Sequence, residues 1–124
     1  MQGVVFNARY LDYADIAITE YWRAVGFRAA HPADPLEFHV ARATVNFRRP
    51  ILADEMIIVT ARTVATGRTS LTQQVAIFGE NGDDDLRAEI DLVNVHVDLA
   101  SHRPVPLPAW LPDCFAAFDQ KKTA

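Results

Sequence analysis

Between Arg9 and Gly26 runs the longest helical pattern of the chain, and almost everything after it carries the two-residue period of β-strands. On a wheel of about 100° per residue, Tyr10, Leu11, Tyr13, Ala14, Ala17, Ile18, Tyr21, Trp22, Ala24 and Val25 gather on one side. Arg9, Asp12, Thr19, Glu20 and Arg23 take the other. The apolar arc, roughly 180° wide, exceeds the stripe of an ordinary surface helix and predicts a helix largely enclosed by a curved sheet. Asp15 falls on the border of the two arcs, beside Leu11 and Trp22. Ile16 lies in the polar arc, either as an exposed isoleucine or as a contact with a partner subunit. Gly26 suits the helix C-terminus.

The two prolines of His31-Pro32-Ala33-Asp34-Pro35 make a loop. A first strand is predicted from Glu37 to Phe47, with His39, Ala41, Ala43, Val45 and Phe47 on one face and Arg42, Thr44 and Asn46 on the other. Arg48-Arg49-Pro50 stops it. Met56 to Ala65 is a β-branched run, Gly67-Arg68 a turn, and Thr69 to Phe78 a third strand. The loop from Gly79 to Asp85 contains Asn81-Gly82, a signal for positive φ; its acidic run lacks the further ligands of a calcium loop. The fourth strand, Leu86 to Leu99, is apolar at even positions up to Leu92 and at odd ones from Val93, which predicts a β-bulge near Leu92-Val93. Pro104, Pro106, Pro108 and Pro112 make the tail extended, with one short helix over Pro112 to Phe118. Helix first and four strands in meander-like succession describe a single α+β domain over residues 1–124. Four strands leave a sheet edge open, to be closed by an earlier strand or a second copy of the chain.

The chain is long enough, at 124 residues, to bury a core without disulfide or metal. A formal net charge of -4 and scattered Lys and Arg argue against nucleic acid. No apolar run reaches membrane-spanning length. The lone Cys114 reads as a small hydrophobe, and such cysteine usage fits a reducing cytoplasm. His31, His39, His96 and His102 lack the paired spacing of a zinc site, and no metal or cofactor is expected. His96 shares a strand face with Asn94 and Asp98; that face is read as solvated, with proton transfer as the alternative. No Gly-x-Ser-x-Gly elbow is present.

The run Gly3-Val4-Val5-Phe6-Asn7-Ala8-Arg9-Tyr10-Leu11, followed by Asp15, Thr19-Glu20 and Arg23, resembles the opening of hotdog-fold acyl-CoA thioesterases. The type is that of the 4-hydroxybenzoyl-CoA thioesterases, including the Tol-Pal-associated enzymes. Val45 to Asp54, with its aromatic-x-x-Pro turn, Gly67-Arg68-Thr69-Ser70-Leu71, and Val97 to Pro108 resemble further motifs in the family's order. The resemblance implies a helix wrapped by an antiparallel sheet, pairing into a homodimer or homotetramer, and sites at the interface between copies. It implies hydrolysis of an acyl-CoA or acyl-carrier thioester, a carboxylate acting as nucleophile or general base, and a backbone N–H at the helix entrance polarising the carbonyl.

By motif position that amide belongs to Asn7, whose other reading is a helix N-cap. The family's loop carries an aspartate that would fall immediately before Met1, and a strand ahead of it. Either an upstream segment supplies both, or catalysis is lost or moved to another group, with Asp15 the substitute base or else structural. Substrate contacts are expected at Gly3, Val4 and Tyr10. Arg48 and Arg68, with Arg49 and Arg87 also at strand ends, are candidates for the CoA phosphates. Competing functions are a hotdog dehydratase or hydratase on acyl thioesters, and a non-catalytic acyl-CoA-binding or structural hotdog subunit.

Overall fold

The computed structural model describes residues 7–33, 36–52 and 55–123, with backbone alone at 7–9, 83 and 121–123. Helix α1 (Asn7–Val25) leads into a single turn, α2 (Phe27–Ala30). Strands β1 (Glu37–Phe47), β2 (Ile58–Thr66), β3 (Ser70–Phe78) and β4 (Leu86–Val97) follow, and α3 (Trp110–Thr123) closes the chain. This is the expected α+β architecture, one long helix on an antiparallel sheet. Gly26 ends α1 in the left-handed region, φ 76°, its N–H reaching back to Trp22 O at 3.1 Å. Gly82 takes φ 72° in the β3–β4 loop, as the Asn-Gly pair predicts.

The helix buries a narrower stripe than its apolar arc suggests. Tyr10, Ala14, Ile18 and Tyr21 are buried, Tyr13, Ala17, Trp22 and Val25 half-buried, and Leu11 and Ala24 exposed. The four-stranded sheet meets α1 from one side, so it does not enclose it. Ile16 is 62% exposed.

The sheet order is β1-β4-β3-β2, antiparallel throughout. Only β2, β3 and β4 form a meander; β1 lies beyond β4 instead of beside β2. The short links at 67–69 and 79–85 hold their strands side by side, whereas residues 48–57 are long enough to cross the sheet end. That crossing is launched by Arg48 N and Arg49 N, which both donate to Arg87 O at 2.8 and 3.2 Å.

Opposite the predicted place the extra residue is on β1, between Val40 and Arg42, and not at Leu92-Val93 of β4, whose own irregularity lies at Arg87 against β3. Along β4 the even residues Ala88, Ile90, Leu92, Asn94 and His96 are all buried. Two buried polar residues at the end of that series made the odd valines look like the inward set. The bulge reverses the phase of β1: Phe38 packs on Trp22 with ring centroids 5.1 Å apart, and Phe47 on Tyr10 at 4.8 Å. His39 therefore does not share a face with Val45 and Phe47; it is exposed and stacked on His102.

Helix α3 is twice the expected length. Pro112 is its third residue, inside the first turn, where a missing N–H breaks no intrahelical bond. Leu111 and Phe115 are fully buried, and Phe115 lies 5.4 Å from the Tyr21 ring and 5.5 Å from Phe27. Cys114 is half-buried against the same core.

Candidate functional site

Along the C-terminal half of α1 the helix and the β1–β4 side of the sheet part into a groove of about 570 Å³. Ile18 and Trp22 form its helix wall, Phe38 and Val40 its β1 wall, Leu92 and Asn94 its floor. The bulge in β1 is what turns Val40 into the groove. Asp15, Thr19 and Arg23 stand on the helix rim, and Arg28 on the other side of Gly26. Arg28 donates to Leu36 O at 3.0 Å, with its guanidinium 5.8 Å from the Trp22 ring centre. The groove is thus mostly apolar and aromatic, with a few polar groups at defined places, as small-molecule sites are.

Its floor is tied to the rest of the sheet by a chain of buried hydrogen bonds. Trp22 Nε1 donates to Gln73 Oε1 at 2.8 Å, and Asn94 Nδ2 to the same oxygen at 3.4 Å. Gln73 Nε2 donates to Thr63 Oγ1 at 3.1 Å, which lies 3.0 Å from Tyr21 Oη. Tyr21 donates to Asp119 Oδ1 at 2.7 Å, and Thr63 N to Asp119 Oδ2 at 3.1 Å. Burial, reinforced by the Asp119 charge, pushes the Tyr21 phenol well above its ordinary value. The chain links α1, three strands and α3. Only Gln73, which shares the inward face of β3 with Leu71, Val75 and Ile77, gave a sign of it in the sequence.

His96 and Asn94 lie on the buried face of β4, so the solvated reading of that face is overturned. His96 Nδ1 sits 3.3 Å from Val105 O and 3.0 Å from Pro106 O, an N–H binding the returning tail. Asp98 is outside the strand and exposed; it accepts from Ser101 N and Ala100 N, bonds that hold its carboxyl below the usual range. The three residues make no proton-transfer group.

The arginines divide between two ends of the sheet. Arg87 is held by Asp85 at 2.9 Å, by Glu55, and by Pro50 O at 2.8 Å, so it has no arm for a phosphate. Its guanidinium keeps both carboxyl groups below their usual range. Arg49 bonds Asp85 as well. Arg48, more than half exposed, pairs with Glu89 at 3.0 Å. Arg68 lies in the β2–β3 turn, where its carbonyl accepts from Leu107 N. Arg48 sits level with the start of β4 and Arg68 with its end, about 33 Å away at about 3.3 Å per residue. One copy of the chain cannot place both on one pyrophosphate.

Of the other expected site residues, Gly3 and Val4 lie outside the described residues. Tyr10 is buried edge-on to Phe47 and offers substrate no surface in this protomer. Asn7 is the first residue of α1, and the first turn contains no acidic side chain to satisfy its amides. Asp15 is exposed at the groove's rim. At about 1.5 Å rise per residue, the eight residues from Asn7 to Asp15 span about 12 Å. The two cannot attend one carbonyl within one helix.

The sequence profile described as the thioesterase superfamily matches residues 2–85. The chain belongs to that superfamily. A solved thioesterase from Thermus thermophilus, complexed with coenzyme A and Zn, is 31% identical. It superposes with a TM-score of 0.76 over 95% of this chain and 83% of its own. The DHNA-CoA thioesterase of Staphylococcus aureus is 20% identical, with a TM-score of 0.76 over 98% of this chain and 80% of its own. A 1,4-dihydroxy-2-naphthoyl-CoA thioesterase from Synechocystis is 15% identical, with a TM-score of 0.76 over 94% and 86%. These two establish the shared fold alone. No curated protein matches the sequence. The architecture is the hotdog thioesterase fold, and superfamily membership supports thioester hydrolysis. Among the described residues no helix is long and apolar enough to cross a membrane.

Proposed function

We propose that the protein hydrolyses an acyl-CoA thioester of the 4-hydroxybenzoyl-CoA thioesterase type, the acyl group lying in the groove beside α1. The observation that carries the reading is the carboxylate of Asp15 at the rim of an apolar groove in a chain of this superfamily. The coenzyme A bound by the 31% identical Thermus thioesterase supports CoA as the carrier. Asp15 takes a proton from water as the water oxygen attacks the thioester carbon. The carbonyl oxygen becomes an oxyanion at the N-terminal amides of α1, with Asn7 N–H as donor, where the helix dipole favours negative charge. Collapse breaks the C–S bond, and the thiolate leaves with the proton held by Asp15. The carboxylic acid, which loses its proton to solvent at neutral pH, and the CoA thiol are the products. Because Asn7 and Asp15 of one helix are about 12 Å apart, the amide and the carboxylate come from two copies of the chain.

The test is release of free thiol from a panel of acyl-CoA thioesters. Asp15→Asn is expected to lower kcat by about 10²–10⁴-fold. Asn7→Pro removes the backbone donor at a helix position that tolerates proline, and is expected to lower kcat by about 10²–10³-fold. Mixing the two inactive variants restores partial activity if sites are shared. No turnover by the unaltered chain, or full activity in both variants, overturns the proposal.

A further inference from the structure

The buried hydrogen-bond chain has a direction, and the direction is fixed from both ends. At one end the indole N–H of Trp22 can only donate, so the Gln73 atom 2.8 Å from it must be the oxygen. At the other, the Asp119 carboxylate accepts from Tyr21, so the Thr63 hydroxyl donates to Tyr21 Oη and accepts from Gln73 Nε2. Gln73 cannot turn without setting N–H against N–H at the indole. With Gln73 Oε1 fixed, the Asn94 amide presents its nitrogen to it; the opposite orientation would oppose two carbonyl oxygens. Asn94 Oδ1 is therefore the free branch of that amide.

Asn94 is 4% exposed and lines the groove floor. Its Oδ1 receives no hydrogen bond among the described residues. No buried side-chain polar atom there is both sealed from solvent and unpartnered, so this oxygen opens onto the groove. An acceptor set among Ile18, Trp22, Phe38, Val40 and Leu92 meets whatever fills the space. A purely hydrocarbon occupant would strip its water and give nothing back, at the cost of an unsatisfied carbonyl.

We infer that Asn94 is a specificity-determining residue whose Oδ1 selects an acyl group carrying a hydrogen-bond donor, an O–H or N–H, over the same group without one. Gln73, Thr63, Tyr21 and Asp119 are positioning residues that hold the amide in this sense. The inference rests on the groove being the acyl site, and goes beyond that reading by naming the chemistry the acyl group must carry.

The experiment measures dissociation constants by titration calorimetry for ketone analogues of acyl-CoA, in which a methylene between sulfur and carbonyl prevents hydrolysis. The parents are benzoyl and octanoyl analogues, each compared with its positional isomers bearing one hydroxyl, one amino or one methoxy group. At least one hydroxyl or amino isomer is expected to bind tenfold or more tightly than its parent, and the methoxy isomer at that position to show no gain. Asn94→Leu, close in volume, is expected to bring the ratio below threefold. Trp22→Phe, which lets Gln73 turn, is expected to reduce it as well. A methoxy isomer binding as tightly as the hydroxyl one, or no isomer exceeding its parent, overturns the inference. Should no CoA analogue bind, the free carboxylic acids decide by the same ratios. A donor preference without thioester turnover would overturn the hydrolase proposal and leave this one standing.

Discussion

Removing one oxygen atom, by Tyr21→Phe, probes how much of the fold hangs on the buried chain of polar groups. The phenol donates to the Asp119 carboxylate at 2.7 Å and meets Thr63 Oγ1 at 3.0 Å. The ring itself, packed on Phe115 and Phe118, stays in place. A hydrogen bond to a charged acceptor contributes about 1.5–3 kcal/mol. Asp119 keeps the Thr63 N–H at 3.1 Å, which limits the damage, so the expected loss is about 2 kcal/mol. With an unfolding entropy of about 2.1 cal/mol/K per residue over 124 residues, the midpoint falls by about 8 °C. Urea unfolding at pH 7, followed by Trp fluorescence and far-ultraviolet circular dichroism, gives the first number; calorimetry gives the second. A second arm uses pH. Folding raises the Tyr21 pKa above its unfolded value near 10, so its contribution is fully present below that value and is lost as pH rises through the folded one. Between pH 9 and 11 the unaltered chain should therefore lose stability more steeply than Tyr21→Phe. A variant within about 0.5 kcal/mol of the original at pH 7, with the same alkaline slope, would refute the role assigned to this network.

Three further outcomes follow from geometry already given. A Cβ on Gly79 would overlap Asp85 Oδ2 and the Arg87 guanidinium, so Gly79→Ala should destabilise by about 1–3 kcal/mol in urea unfolding. Arg87 depresses the Asp85 and Glu55 pKa values, so their stabilisation is present above the unfolded values near 4 and fades as pH falls through the lower folded ones. Arg87→Met should lower the urea midpoint at pH 7 and flatten the decline of stability below pH 4. Phe115→Ala, at a fully buried site between α1 and α3, should cost about 3–5 kcal/mol and expose α3 to limited proteolysis.

Local chemistry made the elements readable. Pro35 and the Arg48-Arg49-Pro50 turn bracket β1 at the very residues found, and Gly26 and Gly82 adopt the positive φ that their positions demand. The order of strands was not readable, because the alternation of β1 is the same whether its neighbour is β2 or β4. The groove was hidden for a related reason. It needs Phe38 and Val40 on the same side as Leu92 and Asn94, and that placement depends on a bulge for which β1 carries no Gly or Pro. Asn94 sets its amide N–H on Gln73 and His96 its ring N–H on the returning tail, partners 21 and 9 or 10 residues away. At the sequence level they resembled outward residues. Asp15 was legible as a border position on the helix, but its place on a groove rim was not.

The single extra residue in β1 also divides that strand into two regimes of mutational tolerance. Ahead of Ala41 the positions that reject polar substitutions are the even ones, Phe38 and Val40; beyond it they are the odd ones, Val45 and Phe47. A saturation scan of residues 37–47 would trace two combs out of step, joined at Ala41. Deleting Ala41 would bring them into step with both halves on their present faces, because the partners of Val40 and Arg42, Asn94 and Val93, are already adjacent on β4, and so would straighten the strand while keeping the groove's apolar wall.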